Sequence, residues 1–227
     1  MITRTFTERR KTKNNMSQHT DNTHEEIHEV HVHRDDFGSK MGLWLFLLTE
    51  ILLFGGLFIL YAGYRFLYPD GFAAAAAELD VLLGAVNTVI LLTSSLTIVL
   101  GIVALQKNHK KLSLFYLWAT VFFGLVFLVN KYFEWGAKFH HGIYPKGPAL
   151  QEMSEGEVMY FGLYYVMTGL HGLHIVIGMA FIMIVIRMIQ KDQITSTNFQ
   201  KLENSGLYWH IVDIIWIFLF PLLYLIH

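Results

Sequence analysis

Five uninterrupted apolar stretches constrain this chain more than any other feature. They cover about residues 42–64, 81–105, 112–133, 158–186 and 207–226. At ~1.5 Å per helical residue, each is long enough to cross a hydrocarbon core of about 30 Å. Barrel strands are excluded, because they need only ~10 residues and alternate apolar with polar positions. The expected fold is therefore all-α, a bundle of five transmembrane helices. The fourth stretch is longer than a span requires, so it should tilt or project from the bilayer.

Composition agrees. Of 227 residues, 54% are apolar and 15% charged, against about 45–50% and ~25% in soluble domains. A formal net charge of −1 gives no reason to expect nucleic acid as a partner. The absence of cysteine removes disulfides, thiolate metal sites, iron–sulfur clusters and cysteine nucleophiles.

Residues 1–39 read as a polar, disordered tail and residues 40–227 as the membrane domain. The tail holds His19, His24, His28, His31 and His33 among acidic residues. A divalent cation is conceivable there, but a solvated tail accounts for the composition without one. No apolar signal segment precedes residue 39, so insertion falls to the first span, and translation starts at Met1 or Met16.

Lysine and arginine set the expected orientation. Arg4, Arg9, Arg10, Lys11, Lys13, Arg34 and Lys40 lie on the same side as Lys107, Lys110, Lys111, Arg187, Lys191 and Lys201. The opposite connections carry only Arg65, Lys138 and Lys146, with Lys131 inside the end of span 3. The N-terminus should thus face the cytoplasm and the C-terminus the periplasm. Tyr61, Tyr64, Tyr132, Trp135, Tyr208, Trp209 and Tyr224 fall near span ends, where aromatic rings favour the membrane interface. Phe72 with the alanine run 73–77 suggests a short interfacial helix.

Small residues recur every seven positions in span 1 (Gly42, Thr49, Gly56, Gly63), and span 4 carries Gly162, Gly169 and Gly172. Both stripes are expected to receive a neighbouring helix. Pro221 removes a backbone donor within span 5 and should kink it.

Five groups carry chemical information. Glu50 lies inside span 1, where a charge costs roughly 2.5–3.5 kcal/mol at the bilayer centre. Proton relay and a neutral, hydrogen-bonded acid are about equally compatible with it. His171 and His174 share one face of span 4, and His210 and Asp213 one face of span 5. Together they could form a metal site of ordinary ligand types. A self-satisfied polar network is the better reading, because no carboxylate from a third helix pairs convincingly with the set. Haem is a poorer fit still, since histidines one turn apart cannot occupy opposite axial positions. Lys131 and Glu134, at i and i+3, should pair with each other, and Arg187 is placed for a lipid phosphate.

Several motifs then resemble one family. They are Met41-Gly42-Leu43-Trp44-Leu45-Phe46-Leu47-Leu48-Thr49-Glu50, Asn87-Thr88 through Thr93-Ser94-Ser95, and Lys131-Tyr132-Phe133-Glu134. Thr168-Gly169-Leu170-His171-Gly172-Leu173-His174 and Tyr208-Trp209-His210-Ile211-Val212-Asp213 complete the set. In this order and spacing, over residues 40–226, they resemble subunit III of cytochrome c oxidase and related haem–copper oxidases. The five spans match the form lacking the first two helices of the seven-helix version, found in bacterial cytochrome c and quinol oxidases.

The resemblance implies a non-redox subunit that packs on subunit I, supports proton uptake and sustained turnover, and holds structural phospholipids. Haem and copper would belong to subunits I and II, and this chain would bind no metal. Glu50 matches the family's buried, carbodiimide-reactive carboxylate, and Arg187 and Lys40 match lipid-headgroup positions. His171, His174, His210, Asp213, Lys131 and Glu134 become structural polar contacts. Subunit II, a subunit IV or a respiratory supercomplex are further expected partners, in a bacterial inner membrane. Two alternatives stay open: an accessory subunit of a quinol oxidase or nitric oxide reductase, and a free-standing proton transporter using Glu50. A self-contained membrane metalloenzyme is weaker.

Overall fold

The computed structural model describes Gly38 and residues 40–144 and 147–226. The tail histidines, Pro145, Lys146 and His227 lie outside the described residues. Two units divide between Leu48 and Thr49. The described part of the first is helical from Lys40.

Among the described residues the chain is helical throughout, without strands. Five helices are long and apolar enough to span a membrane: α1 (Lys40–Leu67), α3 (Val81–Gln106), α4 (Lys110–His140), α6 (Glu155–Gln190) and α7 (Gln200–Tyr224). Two short helices connect them, α2 (Pro69–Ala77) and α5 (Pro148–Glu152). In hydrocarbon no water can bond an exposed amide, so a spanning segment must close its hydrogen bonds internally. That physical demand, rather than strong helix propensity, makes the β-branched run of α3 helical.

The helices outrun the apolar stretches because capping chemistry, not hydropathy, ends them. Asp80 caps α3 by accepting from Leu82 N at 2.9 Å and Leu83 N at 3.1 Å. Ser154 and Glu157 form a reciprocal capping box at the start of α6. At the other ends, Asn108, Gly142 and Asp192 take positive φ values of 62°, 75° and 57°. Each closes a paired turn, as when Gly142 N donates to Phe139 O and Ile143 N to Lys138 O, both at 3.0 Å. The 36-residue α6 reaches roughly 54 Å at 1.5 Å per residue, well beyond the hydrocarbon.

α3 packs on α4, α7 lies against both α3 and α6, and α2 crosses α6 and α7. Half of the apolar window of α7 is buried, against 11% for α1, so α7 forms the centre. Trp209 pins that centre. Its indole sits where a Cβ on Gly124 of α4 or on Gly178 of α6 would come within 2.9 Å, and its Nε1 donates to Ser94 Oγ of α3 at 3.0 Å. One ring therefore fixes four helices.

The small-residue stripes meet neighbours only in part. A Cβ at Gly169 would come within 3.1 Å of Trp135 of α4 and one at Gly172 within 3.8 Å of Leu128, whereas one at Gly56, Gly63 or Gly162 would meet nothing within 4 Å among the described residues. Of the aromatics near span ends, Tyr61, Tyr208, Trp209 and Tyr224 are buried within the bundle, whereas Tyr132 is 76% exposed. At its end, α7 continues through Pro221 and leaves its last carbonyls without helical donors, which two tyrosines supply. Tyr61 of α1 donates to Leu222 O at 2.6 Å and Tyr160 of α6 to Leu223 O at 2.5 Å.

Candidate functional site

The polar residues singled out above do not form one network. They separate into three groups and one isolated ring, each on a different helix seam.

Glu50 of α1 meets His174 of α6, with Oε2 and Nε2 2.7 Å apart and side chains 12% and 8% exposed. The other ring nitrogen, Nδ1, lies 2.7 Å from Leu170 O. A carbonyl only accepts, so Nδ1 must carry hydrogen. Nε2 then faces Glu50 with a lone pair unless a proton is present, and two lone-pair atoms at 2.7 Å repel. One proton is therefore held between the pair, on the carboxyl or on the imidazole. Phe54 covers the imidazole edge-on at 5.6 Å, and Tyr208 donates to His174 O at 3.2 Å. This corrects the expectation that no third-helix carboxylate joins the histidines. Nothing in the spacing of α1 or α6 alone encodes which of their faces meet.

Lys131 and Glu134 pair with each other at 3.1 Å, with side chains only 9% and 5% exposed. Tyr164 of α6 donates to Glu134 Oε1 at 2.6 Å, Tyr224 of α7 does so at 2.5 Å, and Lys131 donates to Tyr224 Oη at 2.5 Å. The ammonium also lies 4.9–5.2 Å from the ring centres of Tyr164, Trp216 and Tyr224. Such a cage offsets the desolvation of a buried cation by cation–π attraction and charge-assisted hydrogen bonds. The two tyrosines carry no sequence signal for this role, because their hydroxyls matter only once three helices converge.

His210 of α7 shares a 2.6 Å hydrogen bond with Ser95 of α3 through Nδ1. Asp213, one turn further along, is 3% exposed, and neither carboxylate oxygen has a hydrogen-bond partner. His171 is fully buried with both ring nitrogens unbonded, held between Phe127 at 5.5 Å and Trp216 at 5.1 Å. Lys40 and Arg187 are exposed at a helix start and a helix end.

Because these histidines turn to different partners, they do not fit a shared metal. Among the described residues no group of three or more His, Cys, Asp or Glu side chains can hold one ion.

Membrane-length helices that bury acid–base pairs between them define a multi-pass helical membrane protein. The family profile described as cytochrome c oxidase subunit III matches residues 13–227, and the chain belongs to that family. It is similar to cytochrome c oxidase subunit 3 of Alkalihalophilus pseudofirmus, at 35% identity over 82% of this chain and 85% of the relative. The protein of the same name from Synechocystis is 34% identical over 87% of this chain and 80% of its own length. A probable quinol oxidase subunit 3 from Staphylococcus saprophyticus is 30% identical over 83% and 89%. A haem–copper oxidase subunit I+III of Aeropyrum pernix matches 82% of this chain with 22% of its own length. The chain is a haem–copper oxidase subunit III, part of a respiratory oxidoreductase complex, and its family membership implies association with subunit I.

Proposed function

We propose that this chain is the non-redox subunit III of a bacterial inner-membrane terminal oxidase that takes electrons from cytochrome c. In this reading it packs on subunit I, haem and copper reside in subunits I and II, and the Glu50–His174 pair tunes proton uptake. The observation that supports the reading is the 2.7 Å contact between Glu50 and His174, an acid and a base facing each other from two membrane-length helices. A pair of this kind can gain or release a proton without opening the bundle, since His174 stays anchored at Leu170 O. Lys131 and Glu134 hold α4, α6 and α7 in register, and Arg187 and Lys40 engage lipid phosphates. The lysine and arginine distribution supports a cytoplasmic N-terminus.

Glu50→Gln in the whole complex tests this. The amide preserves the shape of the side chain but cannot exchange a proton with His174, so assembly and haem content should be unchanged while sustained turnover or proton yield falls modestly. Lost electron transfer, or unaltered turnover and proton yield, would refute the modulating role. The staphylococcal relative favours a second reading, in which quinol is the donor. The reduced-minus-oxidised spectrum and donor preference of the copurified complex separate the two.

A further inference from the structure

A cavity of about 410 Å³ lies between the end of α4 and the junction of α2 with α3. Glu78, Asp80, Lys138 and His141 stand in its walls together with Glu134. Glu78, Asp80 and His141 are exposed, and Lys138 reaches Glu78 O at 2.5 Å. Glu134 is the enclosed member of the set, with a side chain 5% exposed. It sits roughly 9 Å before His140, the last residue of α4, at 1.5 Å per residue. Cavities that stay empty are apolar, and a water needs only ~10–15 Å³ and two or more polar partners. This cavity offers far more room than that, and charged walls. The carboxylate also has capacity to spare. It presents about four acceptor positions, and its donors are Tyr164 and Tyr224 on Oε1 and the shared Lys131 ammonium. Lys131 does not line the cavity.

We infer that this cavity is an aqueous vestibule, a binding site for water that carries solvent from the end of α4 to the Glu134 carboxylate. Water there completes the acceptor set of Glu134 without touching the Lys131 ammonium. The buried pair is thus hydrated on its anionic side and dry on its cationic side, where Tyr164, Trp216 and Tyr224 enclose it. The vestibule involves neither Glu50 nor His174, and it stands or falls independently of that pair and of the electron donor.

Radiolytic hydroxyl-radical footprinting of the intact purified complex, read by mass spectrometry, tests the inference, because radicals born from water oxidise the side chains beside it. Tyr164 and Tyr224 are the reporters. Both are 0% exposed, and both bond Glu134 Oε1, at 2.6 and 2.5 Å. Trp209 is the comparator, equally enclosed but set among Gly124, Gly178 and Ser94. After correction for intrinsic reactivity, the two tyrosines should be oxidised at least tenfold faster than Trp209. Ala137→Trp, which fills the cavity from an exposed wall position, should remove at least nine-tenths of that difference. Tyrosines oxidised no faster than Trp209 would show that no water reaches Glu134, and the inference fails. Unchanged oxidation in Ala137→Trp would show that water arrives by another route, which is equally fatal to the vestibule. Should Ala137→Trp fail to assemble, Ala137→Leu replaces it, and oxidation that does not fall in that variant overturns the inference in the same way.

Discussion

Glutamine at position 134 would keep the shape of the glutamate while deleting its charge, and the surroundings set what that costs. Glu134 is the counter-ion of Lys131 at 3.1 Å and accepts hydroxyl bonds from Tyr164 and Tyr224 on one oxygen. With the carboxylate's charge gone, the Lys131 ammonium stays buried with an amide oxygen, the Tyr224 hydroxyl and three ring faces but no counter-ion. Removing one member of a buried pair costs about 3–5 kcal/mol. For a domain of this size each kcal/mol lowers Tm by about 2–4 °C, so Glu134→Gln should melt roughly 6–20 °C below wild type. The three rings argue for the lower half of that range, because cation–π attraction survives the substitution. The assay is thermal denaturation of the purified complex, followed by dissociation of this chain. The decisive comparison adds Lys131→Met. The double variant carries no uncompensated charge and should be more stable than Glu134→Gln alone, as expected when both partners of a buried pair are replaced together. A single variant within about 2 °C of wild type, or a double variant at the sum of the singles, would show that the pair does not act as a unit.

Two further outcomes follow from local geometry. A Cβ at Gly178 would stand 2.9 Å from Trp209 and 3.1 Å from Tyr208, so Gly178→Ala should destabilise by about 1–3 kcal/mol through overpacking. Gly56→Ala in the isolated chain should stay within about 0.5 kcal/mol of wild type, and equal melting shifts for the two would overturn the account of Trp209. Tyr68, between α1 and α2, donates to Glu155 at 3.2 Å, and this bond to a carboxylate raises its ionisation above the ordinary phenol range. The bond's contribution is present in full below the unfolded tyrosine value of about 10 and is lost as pH climbs through the raised value. Ultraviolet titration should show one tyrosine moving down on Glu155→Gln, and no movement would mean the contact does not persist in solution.

Much of the architecture is legible in one segment at a time. Helix type and the existence of five spans follow from run length, because hydrocarbon forces each segment to satisfy its own backbone. The Lys131–Glu134 contact was likewise readable, being local at i and i+3. Helix ends were placed less well. Their capping residues, Ser154 and Glu157 or Asn108 and Gly142, lie in polar sequence beyond the apolar runs that marked the spans.

The contacts between helices belong to the tertiary structure alone. That Glu50 meets His174, that His171 is left among aromatic rings, and that Tyr61 and Tyr224 turn inward all depend on each helix's rotation and register. Those angles are settled jointly, by Trp209 fitting between Gly124 and Gly178 and by tyrosine hydroxyls reaching the open carbonyls of α7. Run length and charge distribution are properties of single segments, and so the sequence by itself determined them. The pairing of acid with base is a property of two surfaces at once, and only the packed bundle decides it.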